Sequence, residues 1–341
     1  QRARGGVMEP VRFGILGAAK IARERVVPAM QRSALTSVVA IASRDEARAR
    51  AAAADLGIET AYGSYEELLA DPAIEAVYNP LPNHLHVPWS LRALEAGKHV
   101  LCEKPIALTA AEAERLVEAE RRTGRRVVEA FMVRHHPQWL RARELVRAGA
   151  IGEARLIQAA FTYNNVDPDN VRNKADIGGG GLYDIGCYPI TGARFLFEAE
   201  PERVIGVFDL DPVMKTDRLA SAILVFPGGR QLVFSSATQL APHQRFQMTG
   251  TRGRLEFRIP FNPPPDRPAA LILDDCRDLF GGGRSIEEFA PVNQYTLQGE
   301  AFARFVRSGE ALAHPVSDAV AGMRIIDALF RSGRSGRRNG F

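Results

Sequence analysis

The sequence has little cysteine and no long hydrophobic run. Its 341 residues include three cysteines, Cys102, Cys187 and Cys276. An odd, sparse set without CxxC spacing argues against a disulfide framework and against a zinc site. We therefore expect no metal and interpret the cysteines as buried thiols in a reducing compartment. No apolar run approaches the roughly 18 residues that a membrane-spanning helix needs, which excludes an integral membrane protein.

A basic surface is also lacking, although the formal net charge is +4. Terminal segments 1–8 and 331–341 contain arginines but no acidic residue, and residues 9–330 alone carry a charge of −2. We therefore expect neither nucleic acid nor a membrane as a partner. The terminal arginines are Arg2, Arg4, Arg331, Arg334, Arg337 and Arg338.

The first residues do not resemble an intact signal peptide, because no apolar segment is present among residues 1–7. We interpret these residues as a stub that precedes an initiating methionine, Met8. The predicted location is the cytoplasm, or the periplasm if an export signal has been removed.

Short apolar runs alternate with helical stretches over the first 130 residues. Strands separated by helices and apolar throughout are typical of a parallel sheet buried on both faces. Such a sheet is doubly wound and binds ligands at the carboxyl ends of its strands. The predicted strands are 11–16, 37–42, 74–78, 99–102 and 126–129, and the predicted helices are 21–31, 45–55, 64–69, 85–96 and 109–122.

The pattern changes after residue 130, where long strand candidates are joined by turns such as Pro227-Gly228-Gly229. Repeated strands joined by turns indicate an antiparallel or mixed sheet. We therefore predict an α/β unit followed by an α+β unit. The predicted strands here are 153–163, 203–210, 219–226, 231–238, 245–250 and 254–258, and the predicted helices are 138–147, 182–197, 295–307 and 317–330.

The turn after the first strand occupies the place of the dinucleotide fingerprint GxGxxG. Gly17 is the first glycine, whereas Ala19 and Ala22 take the other two places. Alanine at the third place is compatible with close packing, but alanine at the second departs from the pattern. A tight strand–helix turn without a ligand is therefore an equal interpretation of this segment alone.

Ser43 and Arg44 end the second strand, where an acidic residue would bind the ribose 2′-hydroxyl of NAD. A neutral hydroxyl beside a guanidinium instead suits a 2′-phosphate, which favours NADP. The alternative is that Ser43 caps the following helix and Arg44 is solvated.

Polar residues also follow the third and fourth predicted strands. His84 and His86 lie in Pro80–His86, one as helix-start structure and the other as a site residue. Glu103 and Lys104 follow the fourth strand, where lysine can donate to a substrate oxygen; the alternative is a surface ion pair.

A run of four glycines, 178–181, precedes Asp184 and Tyr188. Glycine allows the backbone to approach a ligand or a neighbouring chain segment closely. Asp184 and Tyr188 are four residues apart and share a helix face, so carboxylate and phenol form a workable acid/base pair. The alternative is a core tyrosine whose hydroxyl is satisfied by Asp184.

These segments occur in one order and at spacings that resemble the Gfo/Idh/MocA family of oxidoreductases, named for glucose–fructose oxidoreductase and inositol dehydrogenase. The resemblance covers residues 11–330. It rests on GILGAAKIA (14–22), ASRD (42–45), PLPNHLH (80–86), CEKPIALT (102–109) and GGGLYDIGCY (179–188), with two later segments at 299–310 and 314–329.

The resemblance implies an α/β Rossmann domain followed by an α+β domain with a large open, predominantly antiparallel sheet. We assign the NADP-binding Rossmann domain to residues 8–130 and the substrate-binding and oligomerisation domain to 131–341. The last helix is expected to pack back on the first domain. An active site between the domains is also implied, as is a homodimer or homotetramer through the free face of the sheet.

Tyr188 stands where many members have histidine, and this version looks like the branch of glucose–fructose oxidoreductase, dihydrodiol dehydrogenase and NADP-dependent xylose dehydrogenase. That branch uses NADP, in agreement with Ser43 and Arg44. Thr191 departs from the Asp or Asn usual at the end of the pattern.

The hypothesis that follows is an NADP-dependent oxidoreductase that transfers hydride between nicotinamide C4 and a sugar or polyol carbon. Catalysis is assigned to Tyr188 as the acid/base, Lys104 as the group that orients the oxygen, and Asp184. The alternatives are an oxidoreductase that retains NADP and shuttles hydride between two sugars, and a non-catalytic NADP-binding regulator. The predicted substrate-binding residues are Lys104, Asp184, Tyr188, His136 and Tyr295; the predicted cofactor-binding residues are Gly17, Ala19, Lys20, Ile21, Ser43, Arg44, Pro80, Leu81, Asn83, His86, Glu103, Lys104 and Arg134.

Overall fold

A computed structural model describes residues 8–309 and 313–335. The interpretation of residues 1–7, the arginines Arg2, Arg4, Arg337 and Arg338, and the end of the predicted second domain lie outside the described residues. Residue 310, the last of the segment 299–310 that contributes to the resemblance, also lies outside the described residues.

The described chain divides into two compact units. The first takes its residues from 8–107, 111–132 and 293–319, and the second from 108–110, 133–292 and 320–335. Each unit combines segments that are distant in sequence. The domain boundary at residues 130 and 131, with the last helix on the first domain, stays a prediction.

A six-stranded parallel sheet forms the core of the first unit among the described residues, in the order β3-β2-β1-β4-β5-β6. Strand β3 was not expected from the sequence, because it is only three residues long and half-buried. The strands are β1 Val11–Leu16, β2 Thr36–Ala42, β3 Thr60–Tyr62, β4 Ala76–Asn79, β5 His99–Cys102 and β6 Val127–Glu129.

Helices follow the strands of this sheet. A π-helical turn, Ala22–Val26, continues into α1, so the predicted helix 21–31 is confirmed as one helical segment. The helices of this unit are α1 Val27–Met30, α2 Glu46–Leu56, α3 Tyr65–Ala70, α4 His86–Glu95 and α5 Ala110–Thr123, with α8 Gln294–Ser308 later in the chain.

Side-chain caps begin two of these helices. Ser64 Oγ accepts a hydrogen bond from the Glu67 N–H at 3.1 Å and caps α3. Asp45 Oδ1 accepts from the Arg48 N–H at 3.2 Å and caps α2. The alternative that Ser43 caps this helix is therefore wrong, since Ser43 lies two residues before the cap.

An eight-stranded mixed sheet forms the second unit within the described ranges, in the order β14-β13-β12-β11-β7-β10-β9-β8. Its neighbours are antiparallel except for β7 and β10, which are parallel. The predicted fold class is thereby confirmed. The strands are β7 Ala154–Asn164, β8 Arg203–Leu210, β9 Asp217–Val225, β10 Gln231–Ala237, β11 Gln239–Gly250, β12 Arg254–Phe257, β13 Ala269–Asp274 and β14 Arg284–Phe289.

Helices α6 Pro137–Arg147 and α7 Cys187–Phe197 pack against one face of this sheet, and α9 is Val316–Ser335. Trp139 of α6 is buried and stacks on Phe257, with ring centroids 4.2 Å apart. Gly192 of α7 lets the two helices approach, because a Cβ there would lie 2.7 Å from the Trp139 ring. This aromatic core fixes the helix that carries Tyr188.

The cysteines only partly follow the prediction. Cys102 and Cys187 are buried thiols, but Cys276 is exposed, in a turn after β13 where its φ is +56°. The expectation that all three are buried is wrong for Cys276, because its segment 275–284 lies on the surface. In the part of the chain that the structure describes, no helix is long and apolar enough to cross a membrane.

Candidate active site

The turn after β1 has the geometry of a dinucleotide-binding turn. Gly17 has φ +92°, and its N–H donates to the Ala42 carbonyl at 2.8 Å. The backbone angle requires glycine, and a Cβ on Gly17 would also lie only 3.0 Å from Leu81 Cδ2. Ala22, at the third place of the fingerprint, is fully buried, as close strand–helix packing demands. Departure from the glycine pattern therefore leaves the turn intact.

The other residues of this turn face outward to different degrees. Ala19 and Ile21 are half-buried, whereas the Lys20 side chain is 84% exposed, and its Nζ lies 4.0 Å from Glu24. Their predicted cofactor contacts stay predictions.

Two guanidinium groups lie at the end of β2. Arg44 is exposed and lies near Tyr65, while Ser43 is buried and its Oγ accepts from the Asp45 N–H at 3.3 Å. Arg48, one turn into α2, reaches back to the Ala18 carbonyl at 3.5 Å. Burial raises the pKa of Tyr65, and the two arginines oppose that rise. These cations beside the glycine turn fit a 2′-phosphate.

His86 is the first residue of α4 and is fully enclosed. Its Nδ1 lies 2.7 Å from the Pro105 carbonyl, and its Nε2 lies 2.7 Å from the Leu81 carbonyl. Burial lowers the pKa of His86 to about 4. Of the two alternatives for this histidine pair, His86 is the helix-start residue, and both of its ring nitrogens are engaged within the protein. The cofactor contact predicted for His86 stays a prediction.

Neighbouring residues complete this edge of the sheet. Pro80 and Leu81 are buried, and Asn83 begins a 3₁₀ turn that leads into α4. His84 is half-buried. All of them follow β4, so the parallel sheet places them at the same edge as Gly17 and Ser43.

Glu103 and Lys104 follow β5 and are both half-buried. The Tyr78 hydroxyl donates to Glu103 Oε1 at 2.7 Å, and the Lys104 N–H donates to Glu103 Oε2 at 3.3 Å. Burial raises the pKa of Tyr295, and the negative charge of Glu103 raises it further. The first unit thus brings Tyr295, from α8, to the predicted Glu103–Lys104 pair.

Asp184 lies in a π-helical turn, Leu182–Gly186, that leads into α7. Its Oδ2 accepts two hydrogen bonds, one from the Tyr163 hydroxyl at 2.7 Å and one from Arg172 Nε at 3.0 Å. Burial raises the pKa of Tyr163, and the charge of Asp184 raises it further, so this phenol stays a donor. The carboxylate is thereby held in one orientation.

Tyr188 lies on the same helical segment and is 5% exposed. Its ring packs between Phe161 and Phe261, with centroids 5.5 and 5.4 Å away. An apolar wall thus surrounds a phenol that the sequence assigned to proton transfer. Thr191, where the family pattern has an acid or amide, is buried one helical turn further on.

The segment after β6 supplies two more predicted groups, Arg134 and His136, to the second unit. Arg134 is buried in a 3₁₀ turn, Met132–His135. His136 caps α6, because its Nδ1 accepts from the Gln138 N–H at 3.2 Å. Burial lowers the pKa values of His135 and His136 to about 4, so both rings are neutral at physiological pH. The ligand contacts predicted for Arg134 and His136 stay predictions.

Sequence reasoning missed Tyr163, Arg172, Tyr78 and Arg48. None belongs to a recognisable motif, and each is distant along the chain from its partner or lies on a solvated helix face. Position at a strand's end was the one available signal for Tyr163. Among the described residues, no group of three or more His, Cys, Asp or Glu side chains could hold a metal ion.

Two family models match this chain. "Oxidoreductase family, NAD-binding Rossmann fold" matches residues 11–131, and "GFO/IDH/MocA C-terminal domain" matches residues 139–256. An uncharacterised oxidoreductase of Rhizobium meliloti is 52% identical over 329 residues, which is 96% of this chain and 98% of the relative.

Two further similarities carry more specific names. D-xylose 1-dehydrogenase (NADP(+)) 2 of Haloferax volcanii is 40% identical over 325 residues, covering 95% of this chain and 98% of the relative. The crystal structure of KijD10, a 3-ketoreductase from Actinomadura kijaniata, in complex with NADP and TDP-benzene matches with a TM-score of 0.89 at 33% identity. That match covers 95% of this chain and 98% of KijD10.

Proposed function

This chain belongs to the Gfo/Idh/MocA family of oxidoreductases, and from that premise we propose that it transfers hydride between NADP and a sugar or polyol carbon. The family assignment confirms the resemblance identified from the motifs and makes the protein an enzyme. Its xylose-oxidising and keto-sugar-reducing relatives support a carbohydrate substrate.

NADP is the cofactor that the first unit fits. Gly17 makes room at the glycine turn, and Ser43 with Arg44 replaces the acidic residue that would repel a 2′-phosphate. The prediction of NADP is confirmed by the NADP-dependent relative and by the NADP complex of KijD10. When bound, NADP supplies nicotinamide C4 as the hydride acceptor or donor.

The proton chemistry is assigned to this chain's own groups. In oxidation, the substrate carbon gives up its hydrogen as hydride to the nicotinamide, and Tyr188, acting as the phenolate, takes the hydroxyl proton, so that the substrate becomes a carbonyl; in reduction the neutral phenol returns this proton. Lys104 donates to the reacting oxygen and stabilises its developing negative charge. Asp184, anchored by Tyr163 and Arg172 through Oδ2, binds a second substrate hydroxyl.

The proposal rests on one observation above the others, the half-buried Asp184 carboxylate that Tyr163 and Arg172 hold in place ahead of Tyr188 on one helical segment. A purely structural role for this carboxylate would not explain why the chain also contains the half-buried Lys104 and the dinucleotide-binding turn at Gly17.

A substrate panel with three variants tests the proposal. Aldoses, ketoses and diols, beginning with D-xylose, are assayed with NADP and NAD by nicotinamide absorbance. Lys104→Ala and Tyr188→Phe are each expected to lower kcat by about 10²-fold or more, the contribution typical of acid–base groups. Arg121→Ala, an exposed arginine of α5 that pairs with Glu118, serves as the control for loss of a cation. Full activity in both site variants would refute the assigned roles.

The unaltered protein also serves to test the two alternative functions, an oxidoreductase that retains NADP and a non-catalytic NADP-binding regulator. Denaturing it after purification and measuring released NADP separates an exchangeable cofactor from a retained one. A stoichiometric yield favours hydride shuttling between two sugars, and an NADP-binding protein inactive on the whole panel favours a regulator.

We also propose a homodimer or homotetramer through the second sheet. Ile205, Ile223 and Val233 lie side by side on β8, β9 and β10, because the register pairs Ile205 with Ile223 and Ile223 with Val233. All three are exposed, as is Val207 beside them. Adjacent exposed aliphatic residues on a sheet face are typical of a surface that another chain covers. Cytoplasmic location stays a prediction, with the periplasm as the alternative.

A further inference from the structure

Asp217 is a buried carboxylate, 3% exposed, outside every motif that the sequence analysis used. It begins β9, yet its side chain contacts the glycine run that precedes Asp184. Its Oδ2 accepts a hydrogen bond from the Leu182 N–H at 2.6 Å. The first N–H groups of a helix have no partner within the helix, and Gly181 has no side chain to cap them. Asp217, the first residue of β9, therefore caps a helical segment that is distant from it along the chain.

The glycine run is shaped around this carboxylate. Gly180 has φ +115°, and a Cβ on it would collide with Asp217 Oδ1. A Cβ on Gly181 would lie 3.3 Å from the Asp217 carbonyl and 3.5 Å from its Oδ2. Of the two uses that the sequence allowed for these glycines, close approach to a neighbouring chain segment is the one that the structure shows.

Gly180 in turn joins the two sides of the Asp184 site. Its N–H donates to the Arg172 carbonyl at 2.8 Å, and its carbonyl accepts from the Asp184 N–H at 3.2 Å. The same two residues meet through their side chains, because Arg172 Nε donates to Asp184 Oδ2. Any shift of Gly180 therefore moves Arg172 and Asp184 relative to each other.

We propose that Asp217 is a positioning residue, which holds Gly180–Leu182 and thereby fixes the Arg172–Asp184 pair for substrate binding. The inference rests on the proposed function, since Asp184 binds the substrate there. Asp217 itself is buried behind the glycine run and touches no reacting atom. Its removal is expected to weaken substrate binding while cofactor binding, which belongs to the first unit, stays unchanged.

The test compares Asp217→Ala and Asp217→Asn with Asp209→Asn, the control. Asp209 is an exposed acid of β8 whose carboxylate pairs with Arg218 at 2.8 Å. Three quantities are measured: hydrogen exchange of the Leu182 amide, the NADP dissociation constant, and KM and kcat for D-xylose.

In Asp217→Ala we expect the Leu182 amide to exchange at least ten times faster and KM to rise about tenfold. Expected changes in kcat and in the NADP dissociation constant are below threefold. Asp217→Asn keeps an oxygen acceptor and is expected to restore KM to within about threefold of the unaltered protein. If Asp217→Ala does not fold, Asp217→Ser, whose shorter side chain no longer reaches the Leu182 amide, takes its place with the same expected rises in exchange rate and KM.

A double-variant cycle with Asp184→Asn shows whether Asp217 acts through Asp184. The effect of Asp217→Ala on KM should fall below twofold in the Asp184→Asn background, because the positioned group is already impaired. An undiminished effect there, unchanged Leu182 exchange, or no rescue by asparagine would overturn the inference. Failure of the proposed function has a different signature, namely an unaltered protein that is inactive on every sugar while Leu182 exchange still responds to Asp217.

Discussion

Ser43 occupies the position to which we assign the choice between NADP and NAD. It is buried at the end of β2, and the neighbouring Arg44 is exposed beside the Tyr65 hydroxyl. A carboxylate in place of the Ser43 hydroxyl would repel a 2′-phosphate and accept a hydrogen bond from a free ribose hydroxyl. The choice between NADP and NAD is thus predictable from sequence, because strand ends and spacing alone locate this position.

We predict that Ser43→Asp weakens NADP binding by at least tenfold and narrows or reverses the preference over NAD. Fluorescence titration of the reduced dinucleotides gives both dissociation constants. Arg50→Ala is the matched control, because Arg50 is an exposed residue of α2 whose guanidinium pairs with Glu46 on the same helix. Equal NADP affinity in Ser43→Asp and the unaltered protein would contradict the assignment of this strand end.

The catalytic candidates could be predicted from the sequence, but the residues that bind and position them could not. Lys104, Asp184 and Tyr188 stand out because they occur in compact motifs. Tyr163 and Arg172 bind the Asp184 carboxylate from 21 and 12 residues away, and Asp217 acts from 35 residues beyond Leu182. Periodicity and spacing do not predict such contacts, because they depend on how β7, β9 and the intervening loop pack.

Most elements with a continuous apolar run were predicted, whereas short or charged ones were missed; β13 is an exception, because it is apolar and mostly buried and was still missed. β1, β2 and β5 match their predicted ranges to within a residue, because strands buried on both faces leave an unbroken apolar signature. β14 was missed, since Arg284–Phe289 is exposed at the sheet edge and rich in charge. Charged edge strands discourage pairing with other chains, so their sequences look like loops.

Helix α8 is tied to the first sheet by an ion pair that gives this element a pH dependence. Arg307 donates to Glu75 through Nη1 at 2.7 Å and Nη2 at 2.8 Å, and the Arg12 N–H donates to the same carboxylate at 3.0 Å. Hydrogen bonding from Arg307 lowers the pKa of Glu75 to about 2. A carboxylate whose pKa is lower when folded stabilises the protein above its unfolded pKa, near 4.5, and loses that contribution as pH falls toward 2.

We predict that Glu75→Gln lowers the free energy of unfolding at pH 7 by about 2 kcal/mol, after allowance for partial exposure. The difference should shrink between pH 4.5 and pH 2, where the native carboxylate becomes protonated. Urea titrations at pH 7, 5 and 3.5 measure it. Glu66→Gln is the control, because its partner Arg92 lies 2.7 Å away in a solvent-exposed pair and contributes little. A pH-independent loss in Glu75→Gln would show that charge is not the cause.

At the scale of the whole molecule, order along the chain predicted two kinds of sheet. Alternating strands and helices required a parallel sheet, and repeated strands with turns required a mostly antiparallel one. The order of the elements along the chain did not predict that each compact unit contains segments that are distant in sequence. α8 joins the first unit, and the residues after 319 join the second, so the chain crosses between them more often than a single boundary suggests.

Assembly is the remaining property of the whole molecule, and the outer face of the second sheet makes it testable. Ile205 and Val207 are 58% and 68% exposed on β8, beside Ile223 and Val233. Burying each aliphatic side chain in a subunit interface stabilises association by roughly 1.5–3 kcal/mol, and a carboxylate placed there stays charged and desolvated. Ile205→Asp combined with Val207→Asp is therefore expected to give particles with the mass of one chain, and the unaltered protein is expected to give the mass of two or four chains.

Sedimentation velocity or light scattering after gel filtration gives both masses. Val117→Asp on α5 of the first unit is the control, because Val117 is also an exposed aliphatic residue but lies outside this sheet. It should keep the mass of the unaltered protein. Identical masses for the double variant and the control would mean that copies associate through another surface, since two buried charges at the proposed interface could not be tolerated at micromolar concentration.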